Sequence, residues 1–295
     1  MNRIAAWGMC AVLAAGLAGA REDSPEWKRP FAAHRIVGNV YYVGGWDLAS
    51  FLITTPQGHV LVNTGLAGSA AAIRKSITDL GFRFEDVHWL LTTQAHYDHV
   101  EGMAEVKRLT GARMLATPGD APVLEDGGKS DFHFGADYRY PPVKVDQIIH
   151  DGEVLKLGGV GITVHLHPGH TRGSASYSLV VHEGGRDYRV LIANIGTINP
   201  GVRLVGNAKY PEIADDYAHT FESQKQLACD VFLASHAGQY RLHEKYTPGI
   251  PYSPDRFLDP EGYRRAVAAA EAAFRKQLAE ERGERAKSGG GRRGR

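Results

Sequence analysis

Four side chains able to hold a metal crowd into one stretch, Thr92-Thr93-Gln94-Ala95-His96-Tyr97-Asp98-His99. Imidazole nitrogens joined by a carboxylate oxygen suit Zn²⁺ among the divalent metals. The stretch follows an apolar run (Val87, Trp89, Leu90, Leu91) that reads as a buried strand, and Val100 to Thr110 after it has the spacing of an amphipathic helix. Gln94, His96, Asp98 and His99 thus fall on the turn between strand and helix, where the backbone can aim alternate residues into one cleft. A plain polar loop with Asp98 capping the helix is the other reading of these residues alone.

Two later histidines stand in matching contexts. The strand Ile162 to Leu166 runs into His167-Pro168-Gly169-His170-Thr171, and the strand Asp230 to Ala234 runs into Ser235-His236-Ala237-Gly238. Three strand ends opening on one sheet edge would converge on one cleft. Gln94, His96, Asp98, His99, His170 and His236 then suffice for two adjacent cations. In such a pair one metal lowers the pKa of a bound water from about 16 to near 7. The other stabilises negative charge developing on a leaving group.

The positioning elements are legible from periodicity. Val40 to Val43, Phe51 to Thr55 and Val60 to Asn63 read as strands, with Pro56-Gln57-Gly58 as a hairpin signal. Gly68 to Leu80 reads as a helix ending at Gly81, and Arg113 to Thr117 as a strand. Asp120 to Pro142 has no sustained period and reads as a long loop or short helix near the site, or as a connector. Strand signals resume at Val143 to Ile149, Val154 to Leu157, Ile162 to Leu166, Ser176 to Val181 and Tyr188 to Ala193. Ile213 to Leu227 and Glu261 to Glu281 read as helices around the strand Asp230 to Ala234, so the class is α/β.

With these residues in place, the sequence resembles the metallo-β-lactamase superfamily. Gln94-x-His96-x-Asp98-His99, His170 and His236 match its ordered motifs, and the resemblance runs from about Phe31 to the final helix. It implies an αββα sandwich with the metal site at one edge of the sheets. Within the superfamily the chain is similar to the third subclass of class B β-lactamases, in its glutamine-containing variant. The similar segments are Asn39-Val40-Tyr41-Tyr42-Val43-Gly44, Leu48 to Ile53, His167 to Thr171, and Ala193-Asn194-Ile195-Gly196-Thr197 with Pro200-Gly201. Other branches carry a bridging Asp or a Cys near the end of that last strand, whereas residues 190–204 here contain neither.

The resemblance implies two zinc sites, Gln94 with His96 and His170, and Asp98 with His99 and His236. Asp98 would also orient the attacking water. Gln94 departs from the usual histidine, and an amide oxygen is a weaker zinc ligand, so the Asp98, His99 and His236 site is expected to fill first. Ile195 replaces a common serine, Arg172 a common proline, and Cys229 lacks the partner cysteine that many relatives have. Thr197 and Asn199 are candidates to grip a substrate carboxylate. Trp46, Phe132 and Phe134 suit either a cleft wall or the core, and His133, His150, His165, His167, His219 and His243 match no family ligand. The implied function is hydrolysis of penicillins, cephalosporins or carbapenems by hydroxide held on zinc, a resistance activity. A hydrolase of another ester or lactone, or a zinc-binding protein of weak activity, are the rival expectations.

A chain of 295 residues with net charge +1, 43% hydrophobic and 23% charged residues is ordinary globular material. It shows no basic face of the kind nucleic acid demands, so the expected partner is a small molecule, with no nucleic acid or membrane and a monomer favoured. Arg3, the apolar Ile4 to Leu17 and Ala18-Gly19-Ala20 have the form of a cleaved export signal over residues 1–20, placing the chain in the periplasm. That run is too short to span a bilayer. Residues 21–281 are then the catalytic domain. Residues 282–295, with five arginines and one lysine, are expected to be a disordered basic tail. Cys229 is the only cysteine outside the signal, and its apolar neighbours favour a buried inert thiol.

Overall fold

Leu52 and Leu61 have apolar neighbours in sequence on both sides, and strands of that kind must be covered on both faces. In the computed structural model, which describes residues 23–290, the first sheet has seven strands in chain order. They are β1 (His34–Val37), β2 (Val40–Tyr42), β3 (Phe51–Ile53), β4 (His59–Val62), β5 (Val87–Leu91), β6 (Arg113–Ala116) and β7 (Gln147–Ile148). Pairing is antiparallel from β1 to β4 and parallel from β4 to β7. The second sheet holds β8 (Val154–Leu157), β9 (Val160–Leu166), β10 (Ala175–Glu183), β11 (Arg186–Ala193) and β12 (Val231–Ala234), with only β11 and β12 parallel.

The helices are α1 (Ser69–Asp79), α2 (Tyr97–Val100), α3 (Met103–Thr110), α4 (Ala121–Glu125), α5 (Ile213–Gln226), α6 (Leu242–Lys245) and α7 (Pro260–Gly290). Phe51, Ile53, Val60 and Val62 pack between the sheets with Val164, Tyr177, Val190 and Ile192. The alternate residues Leu52, Leu61 and Leu90 face the opposite way, onto Ile73 and Ile77 of α1 and Met103 and Val106 of α3. On the far side, Phe232 of β12 meets Tyr263 of α7 at 5.4 Å between ring centroids, and Phe221 of α5 meets Phe274 at 5.5 Å. The layers run helix, sheet, sheet, helix, the αββα sandwich expected. Each fully buried leucine or isoleucine contributes roughly 1.5–3 kcal/mol to this arrangement.

Three elements differ from the sequence expectation. The helix predicted over Val100 to Thr110 is two helices, and Asp98 and His99 lie inside the first rather than on a turn before it. The break arises because the His99 carbonyl accepts the N–H groups of Thr64 (2.8 Å) and Gly65 (3.3 Å) from the loop after β4, and Gly102 N–H turns back to the Gly65 carbonyl at 3.2 Å. The strand predicted from Val143 to Ile149 shrinks to Gln147–Ile148. Val143 and Val145 give their N–H groups to the Leu124 carbonyl and to Glu125 Oε1 at the end of α4, not to a ladder.

The last helix runs past Glu281 to Gly290, so the expected disordered tail does not begin at Arg282. Glu281 is buried and accepts the N–H groups of Leu204 (2.9 Å) and Val205 (2.8 Å), which ties that part of the helix to the body. The expected export signal over residues 1–20, like residues 291–295, lies outside the described residues. Among the described residues no helix is long and apolar enough to cross a membrane.

Candidate metal centre

β5, β9 and β12 all end at one edge of the sandwich. From them the chain delivers Gln94 to His99, then His170, then His236. The Thr92 to Gln94 segment is fixed by buried polar groups from both sheets. Asn63, in a left-handed backbone conformation (φ 62), accepts the Thr93 N–H at 2.9 Å and donates to Thr93 Oγ1 at 3.0 Å. Asn194 donates to the Thr93 carbonyl at 3.0 Å, and the Tyr177 hydroxyl to the Thr92 carbonyl at 2.8 Å. His170 depends on Gly169, whose φ is +128 and against which the Tyr217 ring packs where a Cβ would stand, 2.8 Å from the nearest ring carbon.

The six predicted residues come together as two groups. In the first, Asp98 Oδ2 lies 3.1 Å from His99 Nε2 and 3.4 Å from His236 Nε2, and one potential ligand atom from each residue falls within 4.8 Å of the others. In the second, His96 Nδ1 lies 3.1 Å from His170 Nε2. Gln94 borders the same cleft, with its Oε1 accepting from Asn194 Nδ2 at 2.9 Å.

The donors fit a metal on an observation independent of motif. His99 is fully buried, its Nδ1 makes no hydrogen bond and its Nε2 meets only Asp98 Oδ2 at 3.1 Å, a costly state for an imidazole unless a cation takes a lone pair. The second ring nitrogens of His236 and His170 are hydrogen-bonded, and that of His96 faces a carboxylate. His236 Nδ1 donates to Asp47 Oδ2 at 2.8 Å, His170 Nδ1 donates to the Thr197 carbonyl at 2.8 Å, and His96 Nε2 lies 3.4 Å from Asp131 Oδ2. Such bracing fixes the tautomer that turns the remaining nitrogen toward the site.

Burial would raise the Asp98 carboxyl, but the neighbouring His99 and the hydrogen bonds from His236 and His99 hold it well below the usual carboxylate range. Burial pushes His170 down to about 3, with His96 adding to the effect. Burial likewise lowers His99, against the pull of Asp98. An ionised carboxylate and neutral imidazoles, here His99 and His170, are the protonation states that coordinate cations, whereas against the lowering effect of burial Asp47 and Asp98 raise His236 to about 9 and Asp131 raises His96.

Trp27, Tyr97 and Phe134 form an aromatic wall above these groups, and Thr197, Asn199, Ile195, Asn194 and Gln239 line the rest of a cleft of about 180 Å³. Phe134 lies edge-on to His96 (4.8 Å), and Trp27 is 6.2 Å from Tyr97. Thr197 and Asn199 thus border the cleft. Of the three suspected wall residues only Phe134 does. Phe132 packs on Tyr210 at 4.9 Å, and Trp46 stacks on His243 at 3.8 Å outside the cleft.

Three of the unmatched histidines are held by other protein groups. His165 bonds Ser178, buried His167 bonds Ser176 Oγ at 2.7 Å, and His243 bonds the Trp46 carbonyl. Cys229 is buried, and burial pushes its thiol up to about 12. Sequence reasoning missed Trp27, Asp47 and Asp131. Asp47 is 189 residues from the histidine it braces, so no local spacing marks it.

Comparison with known proteins gives a consistent result. Residues 43–183 match the family model described as the metallo-beta-lactamase superfamily. A beta-lactamase from Chitinophaga pinensis is 45% identical, with a TM-score of 0.86 over 89% of this chain and 100% of that one. The class B3 di-zinc metallo-beta-lactamase LRA-12 from an Alaskan soil metagenome is 43% identical, with a TM-score of 0.85 over 88% of this chain and 98% of that one. Metallo-beta-lactamase GOB-18 from Elizabethkingia meningoseptica is 39% identical, with a TM-score of 0.86 over 88% and 97%. Among curated sequences, a hydroxyacylglutathione hydrolase from Methylobacterium nodulans is 33% identical over 108 residues, 37% of this chain. The chain spans only about a third to a half of the length of the first such relatives, 34% and 46% for two of them.

Proposed function

Because this chain belongs to the metallo-beta-lactamase superfamily, we propose that it is a zinc-dependent hydrolase that opens the β-lactam ring of penicillins, cephalosporins or carbapenems. The observation that carries this reading is near-complete coverage of β-lactamases at 39–45% identity, with the Asp98, His99 and His236 cluster at the floor of the cleft. Asp98, His99 and His236 would hold one zinc, and Gln94, His96 and His170 a second. When bound, zinc supplies a Lewis acid for the lactam carbonyl and lowers the pKa of water.

The chain's own groups do the rest. Asp98, kept ionised, shares Oδ2 with two imidazoles and serves as the group that orients the attacking water. Thr197 and Asn199 hold the substrate carboxylate from one side of the cleft, while Trp27, Tyr97 and Phe134 exclude water from the other. Export by a cleaved signal over residues 1–20 would put this monomeric enzyme in the periplasm, where β-lactams arrive.

The partial similarity to hydroxyacylglutathione hydrolases favours a second reading, hydrolysis of a glutathione thioester. Against it, residues 190–204 contain no Asp or Cys to bridge two metals, and the similarity covers 37% of the chain. Purified protein assayed on a carbapenem, a cephalosporin and a hydroxyacyl-glutathione separates the two. β-Lactam hydrolysis should be abolished by a chelator, restored by zinc and untouched by inhibitors of serine enzymes. Full activity after exhaustive metal removal, or turnover of the thioester alone, would overturn the reading.

A further inference from the structure

We propose that Asp47 is a positioning residue of the metal centre, holding the ring of His236 and the cleft wall at Trp27 with one carboxylate. The inference rests on the assignment of zinc to Asp98, His99 and His236 above.

Asp47 Oδ2 accepts both His236 Nδ1–H, at 2.8 Å, and Trp27 Nε1–H, at 3.1 Å. Its other oxygen accepts the Gly238 N–H at 3.3 Å, and its carbonyl accepts the Ala237 N–H at 2.7 Å. Ala49 N–H to the Ser235 carbonyl (3.0 Å) completes the seam between the two loops. The carboxylate can therefore shift little without moving the loop that carries His236.

With Nδ1–H committed to Asp47, Nε2 is the His236 nitrogen left to meet a cation, and it is that atom that faces Asp98. A carboxylate partner also makes the imidazole a stronger donor than a backbone carbonyl does. Trp27 Nε1–H is directed at the same oxygen, which sets the indole 5.9 Å from the His236 ring and at the cleft rim. A ligand and a wall residue from distant parts of the chain are thus held by a single group.

Zinc affinity of the full chain, measured by competition with a chromophoric chelator, tests this in Asp47→Asn and Trp27→Phe. Asp47→Asn should bind its first zinc about ten- to a hundredfold more weakly. Its melting temperature in excess chelator should stay near that of the unmodified protein, since the isosteric amide preserves packing. Trp27→Phe should keep zinc affinity within about threefold and raise KM for β-lactams more than it lowers kcat. Unchanged zinc affinity in Asp47→Asn overturns the proposal, as does an equal loss in Trp27→Phe, which would place the effect in the wall.

If Asp47→Asn does not fold, ¹⁵N-histidine NMR of the unmodified zinc protein decides. His236 protonated at Nδ1 and metallated at Nε2 is expected, and the reverse tautomer overturns the proposal. Failure of the unmodified protein to bind zinc would instead remove the assignment on which the proposal stands.

Discussion

The two halves of the cleft floor differ in charge and in bracing. Asp98, His99 and His236 combine an ionised carboxylate with two imidazoles, and a second carboxylate, Asp47, stands behind His236. Gln94, His96 and His170 offer a neutral amide and two imidazoles, and the amide oxygen already accepts from Asn194. Carboxylate and imidazole bind zinc more strongly than an amide oxygen does, because anionic and more basic donors better offset the cost of stripping water from a dication. One cleft built by one fold would thus contain a strong and a weak half.

The largest effect expected is on activity. Asp98→Ala removes the carboxylate of the first half and the group proposed to orient water, and should lower kcat/KM by about a thousandfold or more. His243→Ala, outside the cleft, should stay within about threefold. Similar losses in both, with both folded, would erase the distinction between the cleft floor and the rest of the molecule.

Metal titration addresses the two halves directly. The unmodified protein should bind one zinc tightly and a second only at higher concentration, and Gln94→His should tighten the second by about tenfold to a hundredfold. Two equally tight zincs, unaffected by Gln94→His, would break the comparison. Asp131→Asn sharpens it from the other side. Asp131 approaches His96 Nε2 at 3.4 Å and also accepts the N–H groups of His133 (2.9 Å) and Phe134 (2.6 Å). Its loss should weaken the second zinc by about tenfold and leave the first unchanged, as read by chelator competition.

The smallest effect contrasts the floor histidines with a histidine held by protein groups alone. His34 bonds the Ala32 carbonyl and stacks on Tyr246 at 3.6 Å, and burial pushes it down from 6.5 to about 4. Folded protein therefore keeps it neutral between pH 6.5 and 4 while unfolded chain takes up the proton, so its contribution is complete above pH 6.5 and is lost as pH falls toward 4. Between pH 7.5 and 5.5 this should cost about 1 kcal/mol. Urea unfolding in excess chelator should show that loss in the unmodified protein and a flatter dependence in His34→Gln. An identical slope in the two would mean that His34 does not titrate as its burial requires.

The candidate ligands were legible in sequence because each follows the end of an apolar strand, and Gln94 to His99 stand close together in the chain. The two-sided burial of β3 and β4, with Phe51, Ile53, Val60 and Val62 on one face and Leu52 and Leu61 on the other, could be anticipated from the α/β pattern for the same reason. Side-chain alternation is a local property of a strand, and the sequence alone determines it.

What only the tertiary structure decided are the partners that meet across long separations. Asp47 is placed by a seam with the loop after β12, Asp131 by the turn that carries Phe134, and Trp27 by its bond to Asp47. The helix break after Val100 follows from the loop after β4 claiming the His99 carbonyl, and the docking of α7 at Glu281 follows from two backbone N–H groups, those of Leu204 and Val205. Apart from the local turn at Asp131, each is a hydrogen bond whose donor and acceptor meet only when the chain folds, and no periodicity records such a meeting. Local pattern fixed which residues could bind a metal; the packing of two sheets decided what braces them.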